Sequence, residues 1–284
     1  LGAVVGETHL RVADDREARK LWPAVRAAQL FEDREEYEAF RAGGPWRVLS
    51  DGAGAAAVIE RWRDHLDILA IKGLWVHPAH VTEAVRSIMQ LAGRQGFQQL
   101  LSPLVTEDAA GPYRDAGCLV RQRIVVLRSR TQDLRRHAHT TLPPPDVEIR
   151  LARTSDAGRL AGLDARCFDD FWRYEPERIG ERLSGGRVSI AECETGLIGY
   201  THATIHRGTG TIGRLAVAPE HRRRGVAAAM LQDIIEYCDR SGASEVSLCT
   251  QQDNMASRAL YASAGFSEMP GRLLFLIGEI STGD

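Results

Sequence analysis

Apolar positions along this chain switch repeatedly between a period of two and a period near 3.6, the pattern of strands interleaved with helices. In the first half, short apolar runs predict strands at His9–Val12, Trp46–Ser50, Ala55–Arg61, Ile68–Val76, Leu100–Leu104 and Ile124–Leu127. Asp51-Gly52 marks a hairpin turn between the second and third of these. Helical spacing predicts Asp15–Leu30, Val81–Gly93 with Val85, Ile88, Met89 and Ala92 on one face, and a short helix at Gly111–Ala116. The second half runs through the same order. Strands are predicted at Val147–Leu151, Val188–Cys193, Leu197–His206, Thr211–Val217 and Val246–Thr250. Helices are predicted at Asp156–Cys167, Glu175–Leu183 and Asn254–Ala264. A further helix opens after Gly225, with Val226, Met230, Ile234 and Cys238 as its stripe.

The repetition extends to residues. Leu74-Trp75-Val76-His77-Pro78 aligns with Leu215-Ala216-Val217-Ala218-Pro219, and Tyr113–Cys118 aligns with Tyr261–Phe266. A repeat of about half the chain predicts two similar domains, which suits a length of 284 residues. The expected division is 1–128, a linker at 129–146, and 147–284. The linker stretch is rich in Arg, His and Thr and ends in Pro143-Pro144-Pro145, the composition of an exposed, stiffened connection.

The stretch Thr211–Ala227 organises the second half. Its strand is stopped by Pro219, which cannot donate to a sheet ladder. Arg222, Arg223 and Arg224 then lead into Gly225, Val226 and Ala227 at the start of a helix. A helix start offers unpaired N–H groups to an anion, glycine lets the backbone approach it, and guanidinium forks suit phosphate oxygens. Taken alone, such a turn is equally well a solvated surface. In the first half, Ala79-His80-Val81-Thr82-Glu83 follows Pro78, with no arginine cluster and no loop glycine. Glu83 sits where it would repel phosphates.

Three segments together resemble the GNAT acetyltransferase superfamily. Arg222–Ala227 matches its pyrophosphate signature, Leu215–Pro219 its preceding strand end, and Asn254–Phe266 its later helix with Tyr261 followed by Gly265-Phe266. The resemblance covers roughly Val147 to the C-terminus, and the tandem layout is similar to that of mycothiol synthase and its relatives, which assigns no substrate. It implies an α/β (α+β) fold of two GNAT-like domains, each a mixed, mostly antiparallel sheet flanked by helices. Residues 1–128 are expected to be a degenerate, structural copy, or one serving a different ligand.

The resemblance also implies acetyl-CoA as co-substrate. Its pantetheine arm is expected along Leu215, Ala216 and Val217 and near Asn254, and its pyrophosphate on Arg222–Ala227. Tyr261 is the expected proton donor to the leaving thiolate. Many family members carry a glutamate base on the strand before the loop, whereas Thr211–Val217 offers none. His202 and His206, which alternation places on one face with Tyr200 and Thr204, are candidates, as is a water chain. In Cys167–Tyr174, Asp169 and Asp170 suit a cationic amine and Trp172 an apolar wall; the same residues equally suit a capped helix–helix corner. The acceptor expected is a small-molecule amine or a peptide N-terminus. The reading from another class is a non-catalytic acyl-CoA sensor or scaffold.

Composition narrows the partners. With 44% hydrophobic and 26% charged residues and a net charge of −2, nothing drives general association with nucleic acid or membrane. The first 146 residues carry 20 basic and 19 acidic side chains and the remainder 16 and 19, so the arginine turn is local on a mildly acidic domain. The five cysteines form no C-x-x-C pair, so neither disulfides nor a metal site is expected. No apolar run reaches membrane-span length and LGAVVGETHL lacks a leader's pattern, so a cytoplasmic protein is expected.

Overall fold

A computed structural model describes residues 9–31, 33–137, 142–174, 176, 179, 180, 183 and 185–280. The helix expected over 175–183 falls mostly outside these residues. The chain forms two compact units, 1–123 with 273–284, and 124–272.

The first unit opens with β1 (Arg11–Val12) and three helices, α1 (Asp15–Lys20), α2 (Trp22–Ala27) and α3 (Arg34–Ala42). The single helix expected over 15–30 is broken at Leu21, since Pro23 lacks the N–H to continue the ladder and begins a new turn instead. Asp14 and Glu17 form a reciprocal cap at the start of α1, and Asp33 caps α3 through the Glu36 amide. Then follow β2 (Val48–Ser50), β3 (Ala56–Arg61), β4 (Ile68–Trp75), α4 (Val81–Arg94), β5 (Gln99–Leu101), β6 (Val105–Thr106) and α5 (Gly111–Asp115). Strands β1 to β4 are antiparallel neighbours, β4 and β5 are parallel, and β5 pairs with the C-terminal strand Leu273–Glu279. That last strand carries Leu274 and Leu276 into the same core as Leu100, Ile88 and Leu69.

The strand β7 (Leu119–Arg130) passes from the first unit into the second. The second unit continues with α6 (Thr131–His137), β8 (Glu148–Leu151), α7 (Ala157–Cys167), β9 (Arg187–Cys193), β10 (Gly196–His206) and β11 (Thr209–Val217). It closes with α8 (Val226–Arg240), β12 (Glu245–Gln251), α9 (Met255–Ser263) and β13 (Ser267–Glu268), before the C-terminal β14 already placed in the first unit. Its sheet runs β8-β9-β10-β11-β12-β7, parallel only between β11 and β12. This is the strand pattern of the first unit over again, and in both units the sixth strand comes from the other half of the chain.

The expected linker therefore holds structure. Residues 129–130 pair with β12, and α6 packs Leu134 into the core beside Val125, Leu231 and Ile234, while Thr131 donates to the Ala243 carbonyl at 2.6 Å. One apolar side chain on a polar helix suffices to dock it. Helix α8 lies close on the sheet because Gly199 leaves room: a Cβ there would sit 2.8 Å from Met230 Sδ. Fully buried Met230, Ile234 and Cys238 each add apolar burial worth roughly 1–3 kcal/mol.

Candidate active site

The site starts from a local fault in the ladder. Opposite β10, His202 faces Arg214 but Ala203 faces Ile212, so Gly213 is an extra residue, a β-bulge on β11. Pairing of β11 with β12 also ends there, at Ile212 with Leu248. Beyond it, β11 stays with β10 as far as Val217, and Cys249–Gln251 of β12 stay with β7. Two strand edges thus face each other without mutual pairing, offering backbone donors and acceptors to an extended ligand arm. Leu215, Ala216 and Val217 lie on one of those edges.

The arginine turn lies directly past this edge. Arg223 has φ +64° and Gly225 φ +86°, so two left-handed residues flank Arg224 and open α8. A Cβ on Gly225 would meet nothing within 4 Å, so the space above it is open to a ligand. No side chain caps the first turn of α8 at Val226 and Ala227, and no acidic residue lies in it. These are the marks of an anion cradle, and with the unpaired edge they fit a thioester carried on a pantetheine pyrophosphate.

The three arginines do different things. The Arg222 Nε donates to the Val217 carbonyl at 3.1 Å, tying loop to strand end. Arg224 forks onto Asp146 at 2.9 and 2.6 Å and reaches His221 Nδ1 at 3.1 Å, and its guanidinium holds the Asp146 carboxyl below the usual range. The exposed Arg223 forms no hydrogen bond or ion pair among the described residues, which leaves its whole fork open.

Helix α9 follows β12. Asn254 caps it, its side-chain oxygen accepting from the Ser257 amide at 3.1 Å, which leaves its NH2 group for a ligand. Tyr261 is 6% exposed, edge-on to Phe266, and burial pushes its phenol up to about 12. The ring therefore keeps its proton across the neutral range, and its hydroxyl is hydrogen-bonded to none of the described residues.

His202 is buried beside the bulge; His206 is exposed at the far end of β10, opposite Thr209. The two share a face by alternation, but only His202 adjoins the fault in the ladder. Asp169 accepts from the Trp172 amide at 3.0 Å, and Asp170 pairs on the surface with Arg173. Phe171 and Tyr174 are buried. The segment thus adopts the capped corner, with Asp169 bonded within its own turn and Asp170 on the surface.

Sequence reasoning missed the centre of this region. Asp164 of α7, with no exposed surface, pairs with Arg214, which is 6% exposed; Nε and Nη2 lie 2.9 Å from the two carboxylate oxygens. Tyr200 donates to the same carboxylate, and Arg214 Nη2 donates to the Trp172 carbonyl at 2.6 Å. The guanidinium is sandwiched 3.6 Å from the Phe168 ring centre and 4.1 Å from that of Tyr174. Burial works against the Arg214 charge, but the Tyr200 and Asp164 oxygens outweigh it and hold the guanidinium protonated. Burial first, with the Asp164 charge, raises the Tyr200 phenol. The signal was available: Asp164 falls on the apolar Leu160–Leu163 face of α7, and Arg214 has the inward parity of Ile212 and Ala216 up to the bulge.

Residues 158–266 match the acetyltransferase (GNAT) family. That match takes in the greater part of the second unit. The chain's architecture is similar throughout to the tandem GNAT protein from the clavulanic acid biosynthesis pathway, with TM-score 0.66 and 17% identity over 98% of this chain and 99% of that one. In sequence it is 37% identical over 65 residues to N-alpha-acetyltransferase 30 of Schizosaccharomyces pombe, 22% of this chain and 43% of that protein. It is 28% identical over 139 residues to the uncharacterized N-acetyltransferase YhfO of Bacillus subtilis, 44% of this chain and 93% of that one. The chain thus spans under half the length of the first of these relatives. The GNAT match lies within the unit that carries the bulge, cradle and Tyr261. The first unit repeats the bulge, at Lys72, where Val58 faces Gly73 and Ile59 faces Ile71. Its α4, however, carries Glu83 in its first turn, in contact with His80 at 3.0 Å, and lacks a loop glycine before it. No helix among the described residues is long and apolar enough to cross a membrane, and no metal-binding cluster occurs among them.

Proposed function

We propose that the second unit is an acetyl-CoA-dependent N-acetyltransferase acting on the primary amine of a small molecule or peptide N-terminus, by direct attack in a ternary complex. The observation that carries this is the unpaired edge of β11 leading straight into the left-handed Gly225 cradle. The edge holds the pantetheine arm and its N–H groups polarise the thioester carbonyl. The cradle and Arg223 take the pyrophosphate, and the Asn254 amide bonds the arm. His202, alone or through water, accepts the proton of the attacking amine. Tyr261 gives its proton to the departing thiolate; burial keeps the phenol protonated until the thiolate forms. The first unit is a structural copy.

Calorimetric titration of the whole chain with acetyl-CoA tests the reading. One site is expected; two would make the first unit a ligand-binding domain, and none would remove the proposal. Tyr261→Phe is expected to lower turnover by about 100-fold, within the ordinary range for a general acid, with acetyl-CoA affinity unchanged. Slow hydrolysis of acetyl-CoA by the protein alone supplies the assay; unchanged turnover would remove Tyr261 from the mechanism.

The non-catalytic acyl-CoA sensor is favoured by one observation. Arg214, fully engaged with Asp164, stands on the strand where a carboxylate base is expected. Binding without any hydrolysis or transfer would support that reading.

A further inference from the structure

The Asp164–Arg214 pair does more than fill the core. Asp164 accepts the Tyr174 amide at 2.7 Å, and Arg214 donates to the Trp172 carbonyl at 2.6 Å. Two side chains from different elements thus grip the same short backbone segment, the corner that follows α7. Arg214 is also the first residue past the Gly213 bulge, on the stretch of β11 held along one edge only. A strand paired on one side moves more easily than one paired on both, and a ligand arm on its open edge would fix it. Buried ion pairs are seldom worth more than an apolar pair of the same shape, so stability alone is a weak reason to keep one here. Its geometry offers another.

We infer that Arg214 is a positioning residue: it transmits occupancy of the open β11 edge to the Trp172–Tyr174 corner. This rests on the proposed acyl-CoA site. Arg214 touches neither reacting group; it acts through Asp164 and the corner backbone. Nη2 makes this possible, since it donates to the Asp164 carboxylate and the Trp172 carbonyl at once while Nε holds the second carboxylate oxygen. Asp169 and Trp172, bonded to each other within the corner, move with it.

The test is amide hydrogen exchange on the whole chain with and without acetyl-CoA, alongside calorimetry. In the wild type, acetyl-CoA is expected to slow exchange at Tyr174 by about fivefold or more, the lower end of ordinary coupling between sites. In the paired variant Asp164→Leu with Arg214→Met, acetyl-CoA is expected to bind within about threefold of wild type while Tyr174 exchange no longer responds. Should the pair not fold, Arg214→Lys replaces it, because its ammonium ends one bond short of the Nη2 that bonds both Asp164 and the Trp172 carbonyl. A merely structural pair would shift basal exchange but leave the response to acetyl-CoA in place. Binding with no response at Tyr174 in the wild type, or a response that survives in the variants, overturns the inference and spares the acyl-CoA site. No binding in the wild type overturns that site, and the inference with it.

Discussion

Gly225→Glu is expected to weaken acetyl-CoA binding by about a hundredfold or more, without unfolding the protein. The left-handed backbone at φ +86° costs an ordinary residue roughly 1–2 kcal/mol. A carboxylate about 4 Å from a phosphate adds about 4 kcal/mol of repulsion at an effective dielectric near 20, and only part of this is screened. The repulsion alone exceeds the roughly 2.7 kcal/mol that a hundredfold represents, since the strain is common to the free and bound states. The fold is spared because the new Cβ meets nothing within 4 Å. Gly225→Ala separates the contributions, since it keeps the backbone strain and omits the charge. Titration calorimetry reads both variants, and a Kd for Gly225→Glu equal to wild type would mean that the pyrophosphate lies elsewhere.

Asp164→Ala is expected to destabilise the second unit by about 3–5 kcal/mol, because it leaves the Arg214 charge buried without its partner. It also frees the Tyr174 amide and removes the acceptor of the Tyr200 hydroxyl. For a unit spanning 124–272 this corresponds to a fall in Tm of roughly 10 °C. Trp172 is the one tryptophan in that span, so its fluorescence follows the loss locally. A change below about 1 kcal/mol would place the pair in the class of exposed ion pairs and remove its role in the corner.

The two results bear on different parts of the site and were unequally legible. Gly225 and Tyr261 belong to contiguous motifs whose chemistry can be named from residue type and order. Residues 211–217 likewise announced a strand that stops before a basic turn. Asp164 and Arg214 are fifty residues apart and meet only when α7 folds onto β11. Each alone reads as a polar residue out of place on an apolar face. Asp169 and Asp170 show the converse: two carboxylates beside aromatics suggest amine binding, but a turn uses one as its cap and the surface takes the other. His202 and His206 were indistinguishable by alternation, and the bulge at Gly213 separates them.

Local sequence by itself determined most of the strands and helices, though not α3, α6 or the C-terminal β14, and with them the internal repeat, the Gly225 turn and the tyrosine behind it. Each rests on interactions between near neighbours: backbone propensity, apolar periodicity, and the left-handed freedom of Gly225. Tertiary structure alone decided where the chain divides. The strands β7 and β14 each complete the sheet of the unit formed mainly by the other half, a choice made by edge pairing across more than a hundred residues. It also decided that the supposed linker docks through Leu134, and that Arg214 on the strand before the loop is clamped by Asp164. These outcomes depend on which distant side chain arrives opposite, and no periodicity within a single segment encodes that.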